Sequence, residues 1–214
     1  MGTVPPRARP HVPDPLEPGP KAYDRAYFDR WYRSREAVTN TATLRRKVHL
    51  ALSVAEFVID RQVRSVLDVG CGEAPWRPLL KRMRPRISYV GVDSSAYAVQ
   101  RFGRRRGIRA GSLGTLHRMK FDRMFDLIIC SDVLQYVDEA EMKRGLRTIR
   151  KLLGGVAYIE AFPDMADFTG DFAGWHQRSE RTYRKAFADA GLVGCGMSCW
   201  IGENRLDRLG IGPA

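Results

Sequence analysis

Hydrophobic positions along this chain follow two rhythms. Between residues 22 and 60 they recur at helical spacing. Tyr23, Tyr27 and Trp31 stand at i, i+4 and i+8, with Phe28 and Tyr32 beside them, which predicts a helix over 22–38. Leu44, Val48, Ala51, Leu52, Ala55 and Val58 form the stripe of a second helix over 43–60, with Asn40 or Thr41 as its cap. From Ser65 onward, short apolar runs alternate with amphipathic stretches. The runs predict strands at 65–69, 88–92, 107–110, 125–130 and 155–161. The stretches predict helices at 75–83, 95–104, 138–152 and 179–190, and a last strand or hairpin occupies 192–210. Asp138 with Glu141 forms a capping box, and Gly191 stops the helix that begins on Ser179. This alternation predicts an α/β fold: a doubly wound, mostly parallel seven-stranded sheet with added N-terminal helices.

The ends of the pattern set the expected organisation. Residues 1–20 hold seven of the twelve prolines and few apolar positions, so they are expected to be a disordered tail. A single domain is expected over 21–214, with a helical cap at 21–62 and an α/β core at 63–214. The length of 214 residues suits one full core. Apolar content of 44% and charged content of 28% fit a soluble globular chain. There is no apolar run of about 18 residues and no apolar core near Met1, so the expected location is the cytoplasm, without membrane contact. Cys71, Cys130, Cys195 and Cys199 show no metal-site spacing and are expected as buried small residues, with no bound metal.

The chemistry begins at Val66-Leu67-Asp68-Val69-Gly70-Cys71-Gly72, a buried strand ending in a glycine turn. Twenty-one residues beyond Gly72, Tyr89-Val90-Gly91-Val92 ends on Asp93. A glycine turn after one strand and an acid at the tip of the next describe a sheet that holds an adenosine-containing cofactor. A dinucleotide needs backbone donors at the helix start for its pyrophosphate. Here Pro75 and Pro78 remove two donors, and Glu73 adds negative charge. Asp68 and Glu73 suit a cofactor that carries cationic groups and no phosphate. Asp93 is placed to accept both ribose hydroxyls.

These stretches resemble the class I S-adenosylmethionine-dependent methyltransferases. The glycine-turn strand is similar to their first motif, and Val90-Gly91-Val92-Asp93 to their second strand with its ribose-binding acid. Phe125 through Val137 is similar to their fourth-strand motif. Leu152 through Glu160 is similar to their fifth strand and the turn before it. The resemblance implies S-adenosyl-L-methionine as cofactor, held by Asp68, Gly70, Gly72 and Asp93, with Ser94 beside the adenine. It implies backbone contacts from Cys130 and Ser131 to the methionyl end. Ser112 and Leu113 stand where many members carry an acid for the adenine amino group, and Ala74 stands where many carry a third glycine.

The acceptor is expected in the segment 162–178, which reads aromatic, acidic and then Trp175-His176-Gln177-Arg178. His176 is the candidate base, by its predicted edge position and its titration near neutrality. Tyr27, Asp132, Tyr136, Trp175 and Arg178 are candidate acceptor contacts. The net charge is +12, with arginines clustered at 82–86, 101–109 and 143–151. Most of these fall at predicted helix C-termini, the edge away from the site. The expected function is methyl transfer to O or N of a small molecule. The alternatives are an RNA or protein acceptor, with nucleic acid not favoured, and a cofactor-binding module without turnover.

Overall fold

The computed structural model describes residues 21–33, 41–163 and 171–209. The expected tail at 1–20 lies outside the described residues. Five strands run parallel: β1 (Ser65–Val69), β2 (Ser88–Asp93), β3 (Ile108–Ala110), β4 (Phe125–Cys130) and β5 (Leu153–Ile159). β6 (Leu192–Gly196) and β7 (Cys199–Gly202) form a hairpin, and β7 pairs antiparallel with β5. The order is β3-β2-β1-β4-β5-β7-β6, so the winding reverses between β1 and β4. In such sheets a crevice opens at that reversal, outside the carboxyl ends of the strands.

Both faces are covered. α2 (Thr41–Ile59) and α3 (Trp76–Met83) bury Val48, Leu52, Trp76 and Leu80 against Val66, Leu127, Ile129 and Val156. α5 (Glu139–Leu152) and α6 (Glu180–Asp189) bury Met142, Leu146, Ile149 and Phe187 against Leu67, Ile128 and Ala157. β1 and β4 are buried along their whole length, as strands covered on two sides must be. Each such large side chain contributes roughly 1.5–3 kcal/mol on leaving water. α4 (Ala96–Arg106) packs on β2 and β3 and is capped by Ser95, whose hydroxyl accepts from the Ala98 N–H. α5 is capped by Asp138 and α6 by Ser179.

Three elements depart from the periodicity. The strand or hairpin expected over 192–210 ends at Gly202, and Glu203–Leu209 forms 3₁₀ turns instead. The helix expected over 22–38 is a short α1 (Arg25–Phe28), capped by Asp24, that widens into a π turn over Asp29–Arg33; residues 34–38 lie outside the described residues. π turns insert an extra residue and recur beside functional sites. The fifth strand starts at Leu153 instead of 155, directly after α5. Gly154 and Gly155 are strand residues, and position 155 needs glycine because a Cβ there would lie 2.3 Å from the Asp126 carbonyl oxygen. The register shift between Phe125 and Leu127 falls at the same place.

Candidate active site

A cavity of about 680 Å³ lies at the carboxyl edge, where β1 and β4 part. Its floor is the turn after β1. Gly70 (φ +71), Gly72 (φ +52) and Ala74 (φ +58) all take left-handed conformations. A Cβ on Gly70 would meet Val133 Cγ2 at 2.3 Å, so the turn closes only without a side chain there. The N–H groups of this turn are consumed internally. Gly70 donates to the Val92 carbonyl at 2.7 Å, Ala74 to Cys71 at 2.8 Å, and Arg77 to Ala74 at 3.2 Å. Gly72 donates to Asp93 Oδ2 at 2.6 Å. With Pro75 and Pro78 lacking N–H, little remains to cradle a phosphate.

Carboxylates dominate the lining. Asp68, on β1, is buried and accepts from the Tyr89 hydroxyl at 2.7 Å. Burial pushes its carboxyl up to about 7, partly opposed by the Tyr89 hydrogen bond. Asp93, at the tip of β2, accepts from Gly72 and from the Ser95 N–H at 2.8 Å. Burial raises its pKa, and the two backbone donors pull the other way. Asp132 sits just beyond β4 at φ +61 and accepts from Gln135 Nε2. Burial pushes Asp132 up to about 6. Glu160, one residue past β5, accepts from the Ser131 hydroxyl at 2.5 Å and the Tyr158 hydroxyl at 3.0 Å, and pairs with Lys47 at 2.6 Å. With Glu141 and Asp171, six lining carboxylates face a single lining cation, Lys47, among the described residues.

The structure brings together Asp68, Gly70, Gly72, Asp93, Ser94, Ser112, Leu113 and Ser131 in this lining, along with Tyr27, Asp132 and Tyr136. Cys130 ends β4 inside the core, and burial raises its thiol well above the ordinary range. His176, Trp175 and Arg178 stand outside the lining. His176 is exposed, and its backbone N–H donates to the Gln135 carbonyl at 2.7 Å. Arg178 is buried and donates to the carbonyls of Leu134, at 2.8 Å, and Val137. Trp175 backs the wall, edge-on to Tyr136 with ring centroids 5.9 Å apart. Of the segment 162–178, Phe162 and Asp171 reach the cavity, and residues 164–170 lie outside the described residues. Glu73 is turned away from the expected cofactor. Its carboxylate pairs with Arg33 at 2.5 Å and lies 3.8 Å from Arg106, because a buried acid needs an adjacent cation.

Sequence reasoning passed over Tyr89, Glu160, Lys47 and Lys21. Glu160 had a readable signal, since it follows its strand just as Asp93 ends β2. Lys21 and Lys47 come from outside the strand–turn motifs and meet the site only through tertiary packing.

A doubly wound sheet with its winding reversed at an acidic cleft, and a β6–β7 hairpin closing one edge, is the Rossmann-like methyltransferase fold. A family model described as a methyltransferase domain matches residues 67–155. The chain is 28% identical over 120 residues to the demethylmenaquinone methyltransferase of Thermotoga maritima, covering 55% of this chain and 52% of that one. It thus spans about half the length of that curated relative. In fold it is similar to an S-adenosylmethionine-dependent methyltransferase of Clostridium acetobutylicum, with TM-score 0.56 and 16% identity over 80% of this chain and 87% of that one. It is also similar to the magnesium protoporphyrin IX methyltransferase of Synechocystis, with TM-score 0.54 and 20% identity over 80% and 83%. The match over residues 67–155 and these likenesses in fold make this a chain with a methyltransferase-domain match on the Rossmann-like methyltransferase fold.

Proposed function

We propose that this chain binds S-adenosyl-L-methionine and transfers its methyl group to N or O of a small-molecule acceptor. The observation that carries the reading is the cavity itself: six lining carboxylates against one lining lysine, with a second, Lys21, paired to Asp171 behind them, in a chain of net charge +12. Such a cavity attracts a sulfonium and an ammonium and repels phosphate. The residues fit the cofactor. Asp93 keeps lone pairs for the ribose hydroxyls after accepting two backbone donors. Gly70 and Gly72 let the backbone lie against a ligand. Asp68 and Asp132 supply the negative charge, and Ser94, Ser112 and Leu113 supply the adenine walls. When bound, the cofactor provides a carbon activated for in-line displacement; the chain's part is alignment and exclusion of water.

The cofactor contacts are therefore assigned to Asp68, Gly70, Gly72, Asp93, Ser94, Ser112, Leu113 and Ser131. The acceptor contacts are assigned to Tyr27, Asp132 and Tyr136. An RNA acceptor is disfavoured, because its phosphates would face the same carboxylates. Structures similar in fold include an N,N-8-amino-8-demethyl-D-riboflavin dimethyltransferase from Streptomyces davawensis, whose acceptor is a small molecule.

The test is ligand linkage. S-adenosylhomocysteine at about 100 times its Kd stabilises by about 2.7 kcal/mol, or roughly 5–10 °C for a chain of this size. No shift at millimolar ligand sinks the reading. A shift without methyl transfer to any compound in a metabolite extract favours a module without turnover.

A further inference from the structure

Directly behind the acceptor side of the cavity lining sits a second cation, the buried ammonium of Lys21. The ammonium of Lys21 lies 3.5 Å from the ring centroid of Tyr136, 5.2 Å from that of Tyr23 and 5.4 Å from that of Tyr27. Asp171 closes the remaining side with Oδ2 at 2.6 Å. The rings are fixed against one another. Tyr23 and Tyr27 meet edge to face at 5.0 Å, Trp175 braces Tyr136, and the Tyr136 hydroxyl donates to the Asp171 carbonyl at 2.8 Å. Burial and nearby carboxylates hold the three phenols above their ordinary range, so they stay neutral and offer ring faces. Burial lowers the pKa of Lys21, and Asp171 opposes that shift.

Three aromatic faces and a carboxylate around one nitrogen form a receptor for an organic cation. Tyr23, Tyr27, Tyr136 and Asp171 all line the cavity proposed for methyl transfer. We infer that this cage is the acceptor subsite for an alkylammonium group, and that Lys21 occupies it as an internal stand-in which a cationic acceptor displaces. This rests on the methyltransferase reading and narrows it to acceptors that carry an ammonium group in the cage and, apart from it, the N or O whose lone pair takes the methyl. A tethered ammonium competes at high effective concentration, so an incoming cation binds the free chain weakly and the unplugged cage more tightly. Cation–π attraction from three ring faces makes the cage selective for charge over shape.

The probes are choline and its uncharged isostere 3,3-dimethyl-1-butanol, at matched ionic strength, with S-adenosylhomocysteine affinity measured on the same samples. Lys21→Ala should bind choline at least tenfold more tightly than the unaltered chain, while the isostere changes less than twofold. Adding Tyr136→Leu should erase the gain, and Tyr136→Phe should keep it. In the unaltered chain, choline should expose Lys21 to acetylation read by mass spectrometry, and the isostere should leave it protected. Equal responses to the two probes, or an unplugged cage with no gain for choline, overturn the inference. If S-adenosylhomocysteine still binds in that case, the parent reading stands; if it fails to bind, the parent reading falls instead.

Discussion

At the scale of single residues, the site holds charge in places that oppose it. Asp68 ionises near 7 in the fold against about 3.9 in an unfolded chain. A folded pKa above the unfolded one means its contribution to stability is full below pH 4 and is lost as pH rises through 4 to 7. Asp68→Asn should therefore raise the melting temperature more at pH 8 than at pH 5. The cationic S-adenosylmethionine binds the ionised form, so its affinity should rise about tenfold from pH 6 to pH 8. In Asp68→Asn that slope should flatten; an unchanged slope by calorimetry assigns the titration elsewhere. Gly70 offers a second test. Ala there meets Val133 Cγ2 and a left-handed φ together, which should cost about 2–4 kcal/mol by denaturant titration. Gly70→Ala with Val133→Ala should recover the steric part and leave the conformational part.

Elements are held to the site by buried polar ties. Arg178 carries the segment after Asp171 onto the turn Leu134–Tyr136 by donating to two carbonyls. Arg178→Ala should leave both under-satisfied and cost about 2–4 kcal/mol. S-adenosylhomocysteine affinity should change less than threefold, which separates a positioning residue from a ligand contact. Asp126 ties β4 to the end of α2 in the same manner. It accepts from Arg61 at 2.7 and 3.0 Å and from the N–H groups of Arg64, at 2.8 Å, and Ser65, at 3.2 Å.

These ties explain what could be read in advance. β1, β2 and β4, with Gly70, Gly72 and Asp93, were legible because apolar runs and turn residues are local signals. The β6–β7 hairpin was expected as a region, but its turn, Met197-Ser198 with both φ positive, carries none of the Asn-Gly chemistry that marks such turns. The aromatic spacing of 23–32 was visible too. The π turn was not, because it answers to packing: Phe28 stacks on Tyr97 with centroids 5.6 Å apart, and Tyr32 lies over the glycine turn. Glu73 was readable as a charge and misleading as a ligand, since its partner Arg33 lies 40 residues away.

At the scale of the whole molecule, charge is sorted by place. Arg82, Arg86, Arg101, Arg104, Arg105 and Arg109 are exposed, while the cavity is acidic. Arg106 is an exception, reaching back to the Glu73 carbonyl. No helix of the described residues is long and apolar enough to cross a membrane, and none of their His, Cys, Asp and Glu form a metal-binding group. The basic exterior should retain RNA weakly at about 50 mM salt and release it by about 200 mM, as the gain from freeing counterions falls with rising salt. Binding by fluorescence anisotropy that survives the higher salt, with methyl incorporated into the RNA, would overturn the small-molecule reading.

The contact between the N-terminal aromatic segment and the glycine turn has a consequence for modularity. A Cβ on Gly72 would lie 2.5 Å from the Tyr32 hydroxyl and 3.2 Å from the Phe28 ring, and Arg33 neutralises Glu73 next door. The segment is thus cut to fit one particular turn. A chimera that grafts the leading residues of another protein of this fold onto this sheet inherits none of that fit. Exchange of acceptor preference by swapping N-terminal segments should succeed only when positions 72, 73 and 97 travel with residues 21–33.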